Sequence, residues 1–426
     1  MKFLLLLVLT ICLVNVGLAK SVEPRGVKLA LTKSSDSMRV TWWTEEKMLS
    51  PVVLYSTKMF TPERDSSFAV QAEAQKFDKS DYYGYPTTAV LPDLEESTTY
   101  FYYVGDKAQG VYSNQFNFTT GLINKERSNS FRPFKSIFFG DMGYGETYTT
   151  VDNILSRLDD DLSFVAHVGD IAYADVKNGG VLYGDQTVYN LFLDAIEPIT
   201  SNKPYLVCPG NHDVFNDQSY YLKTWQMPTD KHKDSWYSFD YNGVRFVSFS
   251  SEHDWSVDSS QYKWIEKQLK SYRESNPDGW LVVYSHRPVY CSAKWKWCSS
   301  DNKKVYSLKK PFVKAIEKLL YKYNVNLYIG GHSHSVEYTY PVYKNQVMGD
   351  YDDPKATVHI TVGTGGNVNR LLKWYDLPSW ANDFRSSDNG FGVLNFVNET
   401  HLNWQFISNE EDNQVINEFY LAKGQF

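Results

Sequence analysis

Five short apolar runs between residues 136 and 334 each end in side chains able to hold a metal ion. That recurrence constrains the fold more than any other feature of the chain. The first run is Phe138-Phe139-Gly140-Asp141-Met142-Gly143. It predicts a strand over 136–140, buried on both faces, that delivers one carboxylate to the mouth of a sheet. The glycines let the backbone turn and let a ligand approach. A polar residue at a strand's carboxyl end, followed by helical sequence, is where open α/β sheets bind ligands. Taken alone, Asp-x-Gly is equally an ordinary turn.

The device repeats in order. A strand over 163–168 ends in Gly169-Asp170, with Tyr173 close behind. One over 205–208 ends in Pro209-Gly210-Asn211-His212-Asp213. One over 280–285 ends at His286, and one over 327–330 at Gly331-His332-Ser333-His334. Taken alone, His286 before Arg287-Pro288 fits a satisfied core histidine better than a ligand. Helical spacing covers 148–158, 188–199, 261–272 and 312–323. The alternation implies right-handed strand–helix–strand units and a mostly parallel sheet. Asn242-Gly243 sets a hairpin between 238–241 and 244–250. Runs at 357–362, 392–397 and 401–408 are expected to complete a second sheet.

Residues 22–120 carry only β signals, at 27–31, 38–43, 52–56, 88–91, 99–104 and 115–119. Turn residues separate these runs at the spacing of a sandwich. Leu94 followed by Tyr100 has the pattern of a tyrosine corner. This segment predicts a structural or recognition role. The stretch 121–134 is polar and reads as a linker.

Residues 1–19 read as a secretory signal, with Lys2 at the charged start, an apolar centre and Gly17-Leu18-Ala19 at the end. No later run is long enough to span a bilayer. The mature chain is therefore expected in the secreted or lysosomal compartment, with no membrane association after signal removal. Cys12 leaves with the signal. Cys291 and Cys298 bracket one short segment and are expected to form a disulfide in that oxidising setting. Cys208, in an apolar run, is expected to be a buried thiol. Asn117 and Asn398 head glycosylation sequons. The net charge is -7, and no basic stripe stands out, so nucleic acid is not an expected partner. Nothing in the sequence sets an oligomeric state.

Asp141, Asp170, Tyr173, Asn211, His286, His332 and His334 make a mixed nitrogen and oxygen set. Such a set suits Zn, Fe or Mn and is too nitrogen-rich for Ca or Mg. The count exceeds what one ion needs, so two ions sharing a carboxylate are expected.

Together, Gly140-Asp141-x-Gly143, Gly169-Asp170-x-x-Tyr173, Gly210-Asn211-His212-Asp213, the His286 segment and Gly331-His332-x-His334 resemble the ordered blocks of the purple acid phosphatases, within the calcineurin-like metallophosphoesterases. The likeness covers nearly the whole mature chain. Tyr173 is the discriminating residue, and the Cys291–Cys298 bracket looks most like animal-type or protist members. The implied fold is an all-β fibronectin III-like domain (20–122), then an α/β four-layer sandwich of two mixed sheets flanked by helices (133–426). By the same resemblance, Asp141, Tyr173 and His334 would hold Fe(III). Asn211, His286 and His332 would hold a divalent ion (Zn, Fe or Mn), and Asp170 would bridge. His212 would reach the substrate phosphate or its leaving group. The implied activity is acid phosphatase, hydrolysing small phosphate monoesters through metal-activated hydroxide.

One departure stands out. Plant-type relatives carry histidines shortly after the position of His286. Here the loop reads Cys291-Ser292-Ala293-Lys294-Trp295-Lys296-Trp297-Cys298. Lys294 or Lys296 could supply charge to the phosphate, and Trp295 or Trp297 could stack on a leaving group. His253 is a second candidate acid. A disulfide-stapled lip with solvated lysines reads the same residues equally well. Two other functions fit this sequence. One is a phosphodiesterase or nucleotide pyrophosphatase, and the other an extracellular binding protein with an inert metal site.

Overall fold

The structure is a computed structural model describing residues 21–424 apart from 66, 78–81, 124–129, 146–147, 159–160, 177–183, 230–233, 300–302 and 367–371. The signal-peptide reading of residues 1–19 lies outside the described residues, as does much of the expected linker. Among the described residues no helix is long and apolar enough to cross a membrane.

Residues 25–119 form two facing antiparallel sheets. One is built on Arg25–Leu31, Met38–Thr44 and Tyr85–Leu91, the other on Pro51–Ser56 and Thr99–Asp106. Alternating side chains from both meet in a core that includes Trp42, Leu91, Tyr102 and Phe118. The tyrosine corner is present, since the Tyr100 hydroxyl accepts the Glu95 N–H at 2.8 Å. Three strands escaped the sequence reading, Phe68–Gln71, Glu73–Ala74 and Val111–Tyr112. They are short and little buried, so no alternation marks them.

The rest folds around two mixed sheets. The first has the order Tyr205–Val207, Leu162–His167, Phe134–Phe139, Gly390–Phe396, His401–Ser408, Gln414–Ala422. Its first three strands are parallel and its last three antiparallel. The second has the order Tyr237–Tyr241, Val244–Ser248, Leu281–Tyr284, Leu327–Gly330, Val358–Val362, Val336–Thr339, Ala381–Ser386. Two expectations are corrected here. Residues 392–397 and 401–408 belong to the first sheet, where a hairpin lets them pair beside Phe134–Phe139; only 357–362 joins the second. The helix expected from 312 starts at Lys303, because Pro311 removes one helical hydrogen bond without ending the helix.

Strand alternation fixes the layers. Phe246, Val282 and Tyr284 face inward and pack with Phe138 of the opposite sheet, whose ring lies 5.8 Å from Tyr284. Val247, Leu281 and Val283 face outward against Ile265, Leu269, Phe312 and Leu319 of the helices Ser260–Ser275 and Lys303–Lys322. The helix Gln186–Thr200 is capped by Asp185, which accepts from Thr187 N at 2.9 Å. That helix also docks the N-terminal sandwich. Glu197 accepts from Val27 N at 2.9 Å, and Thr200 Oγ1 donates to the Val27 carbonyl at 2.7 Å.

Candidate metal centre

The five predicted strand ends meet at one edge, where both sheets present their carboxyl termini. Backbone hydrogen bonds lock the turns together. Asp141 N donates to Gly169 O at 3.0 Å, Met142 N to Asp170 O at 3.1 Å, and Gly331 N to His286 O at 2.7 Å. Asp141, Asp170, Tyr173 and His332 all have positive φ, between 51° and 63°. Non-glycine residues adopt that region at a cost of order 1–3 kcal/mol each, so the surrounding structure holds them there. Two glycines are required by close approach. A Cβ at Gly210 would stand 2.2 Å from Asp170 Oδ1, and one at Gly331 would stand 2.5 Å from Asp141 Oδ2.

Each buried carboxylate has one oxygen anchored and one presented. Asp141 Oδ2 accepts from His332 N at 2.7 Å, and Asp170 Oδ1 accepts from His212 N at 2.8 Å. The other oxygens face two groups of donors. Tyr173 Oη lies 3.3 Å from Asp141 Oδ1, 3.3 Å from Asp170 Oδ2 and 3.0 Å from His334 Nε2. On the other side, His286 Nε2 lies 3.2 Å from Asp170 Oδ2, 3.3 Å from Asn211 Oδ1 and 3.2 Å from His332 Nδ1. Asp170 Oδ2 is common to both groups. Ligand atoms of Asp170, His286 and His332 all lie within 4.8 Å of one another. His286 Nδ1 donates to the Val168 carbonyl at 3.0 Å, which fixes the ring's orientation and makes Nε2 the nitrogen that faces the group.

This donor set fits cations. Asp141 and Asp170 are 0% and 1% exposed, and their presented oxygens face Tyr173 Oη and the Nε2 atoms of His334 and His286. Donor atoms 3.0–3.3 Å apart are spaced as neighbouring ligands of one ion at about 2.0–2.2 Å would be. The titration shifts follow from the crowding. Burial alone would raise Asp170, but His286, His212 and His332 outweigh it and hold the carboxyl well below its ordinary range. Burial alone would lower His286, but Asp170 and Asp141 outweigh it and push the ring up to about 10. Burial, with Asp170 and Asp141 beside it, raises the Tyr173 phenol well above 10.0. A cation among these groups would reverse that last effect.

Two charged pairs flank the donors. His212 Nδ1 lies 3.0 Å from both Asp175 oxygens, and its ring sits 4.4 Å from that of Tyr173. On the far side, Arg287 pairs with Glu252 through two contacts of 2.7 Å. Arg287 also reaches His332 Nε2 at 3.0 Å and Asn211 Oδ1 at 3.4 Å, and its guanidinium lies 4.7 Å over the Trp297 ring. Sequence reading missed Asp175, Glu252 and Arg287. Arg287 was visible as the neighbour of His286, but nothing in the sequence links it to Glu252.

The loop residues separate. Cys291 and Cys298 are bonded, and Cys208 is buried and free. Trp295 lies 5.9 Å from the His334 ring, tilted by 24°, and so borders the site. Trp297 is buried and its indole N–H is bonded to Pro288 O, so it forms a wall under Arg287. Lys294 is exposed with its ammonium 5.6 Å over the Tyr375 ring, and Lys296 is exposed. His253 is half-buried, with its nitrogens 2.7 Å from Ser250 Oγ and 3.2 Å from Gln218 Nε2.

Two mixed sheets with a carboxylate shared between two donor groups at their common edge define a metallophosphoesterase. The descriptions that match the chain agree. "Purple acid Phosphatase, N-terminal domain" matches residues 24–120, "Calcineurin-like phosphoesterase" 134–336, and "Iron/zinc purple acid phosphatase-like protein C" 356–418. The chain belongs to the purple acid phosphatase family. It is 32% identical to acid phosphatase type 7 of Homo sapiens over 62% of this chain and 61% of that protein. It is 30% identical to the Arabidopsis thaliana protein named "Probable inactive purple acid phosphatase 1", over 93% of this chain and 68% of that one. The fold matches purple acid phosphatase PPD1 from yellow lupin seeds with a TM-score of 0.82, at 24% identity, covering 96% of this chain and 76% of that one.

Proposed function

We propose that this protein is an acid phosphatase that hydrolyses phosphate monoesters at a binuclear Fe(III)–M(II) centre. The observation that carries the reading is Asp170 Oδ2, which stands in both donor groups at once. Asp141, Tyr173 and His334 would hold the ferric ion, and Asn211, His286 and His332 the divalent ion (Zn, Fe or Mn). Bound there, two cations supply neutralisation of a phosphate dianion and activation of the attacking water. The chain's own residues do the rest. His212, with Nδ1 turned to Asp175, presents Nε2 to the leaving oxygen and can donate a proton to it. Arg287, braced by Glu252, supplies the cationic donors that the missing histidines would have offered to phosphate. Trp295 walls the entrance, and Lys294 and Lys296 stand on the outer lip.

The inert-site reading has a specific motive, since one relative is named "Probable inactive". Against it, all seven donors are present and converge. Secretion or lysosomal delivery, with glycans on the exposed Asn117 and Asn398, fits the same reading. The test is hydrolysis of p-nitrophenyl phosphate and of its bis-ester in acid by metal-loaded protein. Preference for the monoester is expected. Preference for the bis-ester would favour the phosphodiesterase reading, and no hydrolysis with both metals bound would favour the binding protein.

A further inference from the structure

We propose that the face formed by the helices Ser260–Ser275 and Lys303–Lys322 binds a linear sulfated polysaccharide. Each helix joins two neighbouring parallel strands of the seven-stranded sheet, and both pack on its outer face. Direct contacts join them. Lys322 Nζ lies 2.7 Å from Glu266 Oε1, and Arg273 Nε donates to the Tyr323 carbonyl at 2.9 Å.

Lysines run along both helices on the solvent side. Lys263, Lys267 and Lys270 are exposed on the first, at spacings that share one helix face. Lys310, Lys314, Lys318 and Lys322 are exposed on the second, at four-residue intervals, about 6 Å apart along its axis. The two helices carry eleven basic and three acidic residues, in a chain of net charge -7. Although Lys309 turns inward and Arg273 is spent on backbone carbonyls, the seven lysines just named are exposed. Glu317 does not offset them, because it is buried and bonded to Tyr290 and to Lys344 N. Glu266 and Glu274 each answer one lysine, Lys322 and Lys270. In the sequence these lysines are spread among apolar residues. A stripe forms only when two helices lie side by side, so none stands out in the sequence.

The chemistry of the face selects its occupant. A 20-residue helix makes a ridge about 30 Å long, which suits a linear polyanion. Both helices turn their apolar faces to the core. Leu308 is the one exposed large hydrophobic among their described residues, too little to anchor in a bilayer. Neither helix has an exposed aromatic ring among its described residues on which a base could stack. Sulfate esters stay ionised in acid, where carboxylate polymers lose charge. The second helix begins just after the Cys291–Cys298 loop and runs away from the site edge. A polymer on the ridge would therefore leave the catalytic edge open and hold the protein on an anionic matrix.

The test is binding to immobilised heparin at about 0.15 M salt. The full-length protein is compared with a helix variant and with a control of equal charge change. The helix variant carries Lys263→Glu, Lys267→Glu, Lys314→Glu and Lys318→Glu, and the control carries Lys47→Glu, Lys58→Glu, Lys107→Glu and Lys355→Glu. Thermal melting verifies that both are folded. Wild type and control are expected to bind, with the helix variant weakened by about tenfold or more. Phosphatase activity is expected to be unchanged in both. Absence of wild-type binding, or equal loss in both variants, would overturn the proposal. So would binding of phosphatidylserine vesicles or polyuridylate as tight as that of heparin and lost in the same variant.

Discussion

The imidazole of His212 is held with Nδ1 3.0 Å from both carboxylate oxygens of Asp175, so only Nε2 is left for a substrate. Burial alone would lower the ring's pKa, but the Asp175 bond and the nearby Asp170 outweigh it and raise it above 6.5. A proton donor of this kind works below its pKa and is lost as pH rises through it. Asp175→Asn removes a raising influence, so the alkaline limb of the kcat/KM profile moves to lower pH. His212→Ala should lower kcat by about 10²–10⁴ with metal content intact. An unmoved limb in Asp175→Asn would refute the pairing.

Tyr173 reaches into the group of Asp141, Asp170 and His334 through its hydroxyl. If that oxygen ligates iron, the protein has a broad visible band that Tyr173→Phe abolishes. The absorption spectra of the two proteins decide it, and a band that persists in the variant would remove Tyr173 from the ligand set.

Arg287 and Glu252 should behave as one unit. Charge-assisted hydrogen bonds are worth about 1.5–3 kcal/mol, so Arg287→Met should cost roughly 10–100-fold in kcat/KM. Glu252→Gln should cost a similar amount, because the guanidinium loses its brace. The double variant should then be little worse than either single one. Additive losses in the three-variant comparison would mean the residues act separately.

Where the sequence was legible, it was because burial leaves a pattern. The runs ending at Asp141, Asp170 and His332 read as strands because both faces of Phe134–Phe139, Leu162–His167 and Leu327–Gly330 are covered. The polar punctuation after each run revealed the donors. Sheet membership was not legible, since Gly390–Phe396 and Val358–Val362 look alike and only long-range pairing separates them. The braces of the site were equally hidden. Glu252 and Arg287 are 35 residues apart, and neither has a local signal that names the other.

The interface between the N-terminal sandwich and the rest holds a buried ammonium. Lys28 is 4% exposed and donates to Gly26 O at 3.0 Å. Burial lowers its pKa to about 7, and Glu197 and Asp194 only partly offset this. Between that value and the unfolded value near 10.5 the unfolded chain binds more protons, so stability from this group rises with pH across that window and its full penalty applies below it. Lys28→Met should therefore raise Tm most in acid, with a gain that shrinks as pH climbs through the window. Calorimetry at acid and alkaline pH checks it, and a pH-independent gain would contradict it.

Elemental analysis of the purified protein, taken together with Asp170→Asn, tests the shared carboxylate most directly. Two metal ions per chain, one of them iron, are expected in the wild type, and both should be lost or severely depleted in the variant. One ion per chain, or two ions retained at full occupancy in Asp170→Asn, would contradict the account.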